Sequence, residues 1–111
     1  MVAPGERIIS CAAGAKFDRA MEELQIAAGA PALPPAGATR PIAHYVEDTG
    51  TSMAAPHVSG AIAAFLSIRR EFIGRPERVK QIFTSTATDL GRVRDFQGHG
   101  LVDAMRAIQS V

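Results

Sequence analysis

Thr49-Gly50-Thr51-Ser52 is followed by Met53-Ala54-Ala55-Pro56-His57-Val58-Ser59-Gly60, and then by the apolar run Ala61-Ile62-Ala63-Ala64-Phe65-Leu66. This order predicts a tight Gly/Thr turn that delivers one serine to the first turn of a helix. The amide groups of a first helical turn have no intrahelical acceptor, and the positive end of the macrodipole lies among them. Ser52 would therefore sit beside donors suited to stabilising an oxyanion. A serine hydroxyl is a weak nucleophile until a base takes its proton, so the rest of the chain matters chiefly for whether it supplies that base.

The local candidates are few. His57 follows Ser52 by five positions on the same helix, a rotation of about 140° and a rise of about 7.5 Å, so it points away from the hydroxyl. His44 and Asp48 precede the serine and form the one conceivable local dyad. His99, between Gly98 and Gly100, reads as a turn residue, and Asp18 and Asp103 read as solvated or capping groups. Met53, next to Ser52, would be open to oxidation at an exposed site or would simply pack.

The elements that must position Ser52 come next. Val2-Ala3-Pro4-Gly5 is a turn signal, and Arg7-Ile8-Ile9-Ser10-Cys11 reads as a short strand. Phe17, Met21 and Leu24 recur at helical spacing and predict a short amphipathic helix over Phe17–Gln25. From Ala27 to Pro41 the chain is mostly Ala, Gly and Pro, which forbids a regular helix or a central strand. Residues 12–44 thus read as a long irregular stretch, with its Pro/Ala tract open to proteolytic nicking. Tyr45-Val46-Glu47-Asp48 is a short strand into the serine turn. The serine helix runs from Ser52 to about Arg70, with Pro56 in its first turns and Gly74 as its stop. Small and apolar residues surround it on every side, so it reads as a buried helix. Pro76 opens the next helix, packed by Val79, Ile82 and Phe83. Asp103 caps a last helix whose packed side carries Met105 and Ile108.

The string Gly50-Thr51-Ser52-Met53-Ala54-Ala55-Pro56-His57-Val58-Ser59-Gly60 resembles the nucleophile segment of subtilisin-like serine proteases. The turn and strand of residues 1–11, and the succession Ala87-Thr88-Asp89-Leu90-Gly91, Gln97-Gly98-His99-Gly100 and Leu101-Val102-Asp103-Ala104, resemble that family too. The resemblance implies an α/β fold, a parallel sheet with helices on both faces, of which residues 1–111 form the C-terminal portion. A helix-rich fragment with one or two short strands is then expected, residues 45–108 carrying the nucleophile helix and the C-terminal helices, and residues 12–44, longer than the family's connection, forming an irregular insertion near the active-site side. It implies a serine endopeptidase working through an acyl-enzyme, with Ser52 as nucleophile. The Ser52 amide, with Thr51 beside it, forms the retained half of the oxyanion hole. Gly50, Met53, Pro56, His57 and Gly60 are structural members of the motif.

In that family the chain order is Asp, His, Ser, and an asparagine donates to the oxyanion. Here no recognisable Asp or His motif precedes Ser52, and the chain contains no asparagine. The expectation is a chain that begins in mid-fold, inactive in isolation and completed by an upstream part of the same domain. Without the upstream strands, the serine helix would expose an apolar face, and the free fragment would be marginally stable or self-associate. The alternative is a truncated, catalytically inactive fragment or pseudo-enzyme that at most binds peptides or a partner; the reading frame upstream of Met1 separates the two. A third reading, an α/β-hydrolase using Ser52, Asp89 or Asp95, and His99 in that order, fails on the polar stretch before the serine, where that fold needs an apolar strand.

The totals bound the rest. A chain of 111 residues, 47% apolar and 21% charged, is an ordinary single globular domain. A net charge of +1 without like-charge runs asks for neither nucleic acid nor a membrane surface; the resemblance implies a peptide or protein substrate as partner. The apolar run Ala61 to Leu66 is too short for a membrane span. Cys11 is the single cysteine, so no internal disulfide framework exists. No acidic cluster has calcium-ligand spacing, and neither a metal nor a cofactor is expected. The N-terminus lacks the basic start and apolar core of a signal peptide, which leaves localisation open although the family is often secreted.

Overall fold

The computed structural model describes residues 1–27, 29 and 45–111. They divide into two units, Arg7–Asp48 on one hand and Met1–Glu6 with Thr49–Val111 on the other. The Ala/Gly/Pro tract lies outside the described residues apart from Ala27 and Gly29, as does the nicking site expected there.

In the first unit, strand β1 (Ile8–Cys11) pairs antiparallel with β2 (Tyr45–Asp48), with Ile8 opposite Asp48 and Cys11 opposite Tyr45. Both strands appear where the β-branched and aromatic residues place them. The exposed ion pair of Arg7 Nε with Glu47 Oε1, 2.7 Å, spans the pair and contributes at most about 1 kcal/mol. Helix α1 (Gly14–Ala27) packs on β2 and is longer than the expected Phe17–Gln25. Met21 is half-buried as the spacing predicts, whereas Leu24 is 41% exposed. The parallel sheet implied by the resemblance is not seen among the described residues: parallel neighbours come from successive crossover units, and β1 and β2 are the two described strands.

The second unit is helical. Helix α2 (Thr51–Ile68) is followed by a 3-10 turn (Arg70–Phe72), α3 (Pro76–Thr86), the short α4 (Arg94–Gln97) and α5 (Ala104–Gln109). Helix α2 ends at Ile68 because Arg69, whose amide still donates to the Phe65 carbonyl at 2.8 Å, leaves helical dihedrals with φ −104° and ψ 67°. Gly74 therefore follows the 3-10 turn and is not the stop of α2. Pro76 does open α3, where it loses no intrahelical bond.

The core consists of Phe65 from α2, Val79, Ile82 and Phe83 from α3, and Ala107 from α5. Phe65 meets Phe83 edge-on, ring centres 5.4 Å apart, and tilts against Phe72 at 5.5 Å, arrangements that suit the ring quadrupoles. Asp103 caps α5 as expected, its Oδ1 accepting the Arg106 amide at 2.9 Å. The packed side of α5 is nevertheless Ala107 and Ile108, and Met105 is 62% exposed; two apolar residues three apart left the facing residue ambiguous, and contact with α2 and α3 resolved it. The Arg69 guanidinium donates to the Ile108 carbonyl at 3.1 and 3.3 Å, satisfying an acceptor in the last turn of α5.

The bend Gly98-His99-Gly100 forms as expected. Gly100 has φ +117°, and a Cβ there would collide with the Thr88 carbonyl. Its closeness permits paired bonds between Thr88 and Leu101, both 2.8 Å. Nearby, the buried Gln97 donates to Asp89 Oδ1 at 2.8 Å and accepts from the Leu90 amide at 2.8 Å, while Asp89 Oδ1 also accepts from the Gly91 amide at 2.8 Å. The Gln97 side-chain bond, then the Gly91 amide bond, holds the Asp89 carboxyl below the usual carboxylate range. A depressed native pKa means that the unfolded state binds the proton more readily. The contribution of Asp89 is then complete above the ordinary carboxylate pKa and is lost as pH falls through the lower native value. Asp89→Asn is expected to flatten the pH dependence of stability below about pH 4, measured as melting temperature between pH 2.5 and 6 for both proteins.

Candidate active site

Ser52 is the second residue of α2 and is exposed. Gly50 precedes the helix, and its carbonyl accepts from the amides of Met53 at 3.0 Å and Ala54 at 3.3 Å. The amides of Thr51 and Ser52 belong to the same first turn, where no intrahelical carbonyl lies behind them. The turn is held from outside the helix as well: the Gly50 amide donates to the Gly5 carbonyl at 2.8 Å. Val2 is tied in turn to the C-terminal bend, its amide donating to Gly100 at 2.8 Å and its carbonyl accepting from Val102 at 2.9 Å. The sequence marks Val2–Gly5 as a turn, but the chain there bridges Leu101 through Val2 and reaches Gly5 without one; that it grips the serine turn was not legible, because Gly5 and Gly50 are far apart in the chain.

The remaining predicted residues fall in several places. His57 is exposed, and its Nδ1–H donates to the Met53 carbonyl at 2.8 Å, a bond to its own helix and not to Ser52. Pro56 is the sixth residue of α2, beyond the first turn, so its missing N–H removes the donor that the Ser52 carbonyl would otherwise have. Met53 is half-buried and Gly60 exposed. Asp48 closes β2 in the other unit, and His44 lies outside the described residues. His99 is exposed on its bend, Asp18 is exposed on α1, and Asp103 is occupied by its cap and by Thr88 Oγ1 at 3.2 Å. Among the described residues no side chain is hydrogen-bonded to Ser52 Oγ, and no three His, Cys, Asp or Glu residues group closely enough to hold a metal ion.

Helix α2 is not buried all round; among the described residues it shows the exposed apolar face expected of it without the upstream strands. Of its 18 residues Phe65 alone is buried, and Ala55, Gly60, Ala63, Ala64 and Ile68 are exposed. Within its unit α2 is packed by α5 and the 3-10 turn, which cover one side of an all-round apolar helix. Its polar side chains turn inward on the helix itself: Ser59 Oγ donates to Ala55 at 3.3 Å, and Ser67 Oγ donates to Ala64 at 2.7 Å, local bonds that spare the hydroxyls a partner elsewhere. By length and composition alone, with mean hydropathy 1.2 over Thr51–Ile68, α2 also reaches what a membrane span needs, which the shorter run Ala61 to Leu66 did not indicate. A core helix passes the same test.

Comparison with known proteins bears on this site. Tripeptidyl-peptidase 2 of Drosophila melanogaster is 46% identical over 63 residues, covering 54% of this chain and 4% of the relative. The membrane-bound transcription factor site-1 proteases of Mus musculus and Rattus norvegicus are each 40% identical over 63 residues, covering 55% of this chain and 6% of theirs. The chain thus spans a small fraction of the length of the relatives it matches. No solved structure matches it. The model of the subtilase family, Peptidase_S8, matches residues 1–100, so that residues 1–5, the serine turn and α2 all fall inside one match and the chain belongs to the subtilase family.

Proposed function

We propose that residues 1–111 are part of a subtilisin-like peptidase domain, residues 12–44 an insertion and residues 45–108 the nucleophile helix with the C-terminal helices. The domain hydrolyses peptide bonds in a peptide or protein substrate, with Ser52 as nucleophile. The reading is carried by the exposure of Ser52 on the first turn of α2, within a stretch matched to the subtilase family. Ser52 Oγ attacks the peptide carbonyl carbon and its proton passes to an imidazole supplied by an upstream part of the same domain. The oxyanion is met by the amides of Ser52 and Thr51, the missing donor coming from the upstream part. The C–N bond then breaks, the amine leaves with that proton, and water cleaves the serine ester. Gly50, Met53, Pro56, His57 and Gly60 shape the turn and helix and do not touch the reacting atoms. The upstream part also supplies the parallel sheet that covers the exposed face of α2.

Because no Asp or His motif of the family precedes Ser52, our reading has the isolated 111-residue chain inactive, at most binding a peptide or partner. A fluorophosphonate probe is expected to label Ser52 in the full-length protein and to leave the isolated chain unlabelled. Labelling of the isolated chain would show that the base lies within it. No labelling of the full-length protein would favour the pseudo-enzyme.

A further inference from the structure

Building on the reading of Ser52 as nucleophile, we propose that Gly5 is a positioning residue for the catalytic turn, fixing both peptide planes that flank Gly50. The plane before Gly50 is held by its amide, which donates to the Gly5 carbonyl at 2.8 Å. The plane after Gly50 is held by contact. A Cβ on residue 5 would lie 2.7 Å from the Gly50 oxygen and 3.1 Å from the Ala54 Cβ, well inside the roughly 3.5 Å at which non-bonded heavy atoms rest.

The Gly50 carbonyl and the Thr51 N–H belong to one peptide unit, which is planar. Pushing the Gly50 oxygen aside therefore turns the Thr51 amide as well and carries Ser52 with it. The same oxygen accepts from Met53 and Ala54, so its displacement also loosens the start of α2. Little give is available on the other side, because Val2, three residues earlier, is bonded to both Gly100 and Val102. Gly5 is thus the point where a segment anchored to the C-terminal bend closes on the serine turn. Its lack of a side chain is the condition for that closeness.

An oxyanion donor acts only within about 2.7–3.1 Å of the developing charge, and a misplacement of about 1 Å costs on the order of 10²-fold. In the full-length protein, Gly5→Ala is expected to lower kcat per titrated active site by about 10- to 100-fold with KM within about twofold, and to slow fluorophosphonate labelling of Ser52 by a similar factor. A merely structural role would reduce the titre of active sites and leave kcat per site unchanged; that result overturns the proposal. Adding Ala54→Gly is expected not to restore the rate, since the contact with the Gly50 oxygen remains. If Gly5→Ala does not fold, amide exchange in the wild-type protein decides. Protection of the Gly50 amide supports the latch, and exchange at the rate of an open loop overturns it. A wild-type protein that neither labels nor cleaves peptides removes the assignment of Ser52, and the role of Gly5 with it. Labelled wild type with an unimpaired Gly5→Ala removes the role of Gly5 alone.

Discussion

Ser52→Ala in the full-length protein is expected to lower kcat by about 10⁶-fold, the magnitude subtilisin itself shows for loss of its nucleophile, with little change in KM. The hydroxyl is exposed on the first turn of α2 and has no hydrogen-bonded side chain among the described residues. Removing one oxygen atom therefore leaves the local fold undisturbed, and melting temperature should move by no more than a degree or two. The residual rate would come from the amides of Thr51 and Ser52 and from substrate binding, which survive the substitution. Steady-state kinetics on a peptide ester and a peptide amide, with active-site titration of the wild type, measure this. A variant retaining a tenth of the wild-type rate would show that Ser52 is not the nucleophile.

Phe65→Ala is expected to destabilise the protein by about 3–5 kcal/mol. Phe65 is fully buried, packs against Phe72 and Phe83, and joins α2 to α3 and α5. Truncation removes both ring contacts and leaves a cavity that the helices, held by Arg69 on the Ile108 carbonyl, can close only in part. Urea unfolding of wild type and variant checks this, with the m-value showing whether the native state stays compact. A loss under 1 kcal/mol would mean that Phe65 is not the centre of the core.

These two residues lie on one helix and illustrate different kinds of legibility. The place of Ser52 at a helix start was readable because an uninterrupted string from Gly50 to Gly60 carries the turn, the serine, the proline and the histidine together. Val79, Ile82 and Phe83 were readable because helical spacing puts them on one stripe, whereas Phe65 lies in a helix that is apolar all round, where spacing singles out no residue. Where spacing was sparse the reading failed: Met105 and Ile108 suggested one face of α5, and Ala107 turned out to be buried in its place. The stop of α2 was set too late, because a 3-10 turn has no strong signature of its own.

The sequence by itself determined the family, the place of the serine at a helix start, both short strands, and the residues opening α3 and capping α5, since each rests on neighbours within a few positions. It also made plain that the residues around Ser52 hold no recognisable partner for its proton. Only the tertiary structure decided that Gly5 grips Gly50, that Val2 is tied to the Gly98–Gly100 bend, that His57 bonds to its own helix, and that Phe65 is the one described residue of α2 to be buried. Backbone contacts between distant segments depend on where the folded chain returns, and an apolar helix is buried only as far as other elements are present to cover it.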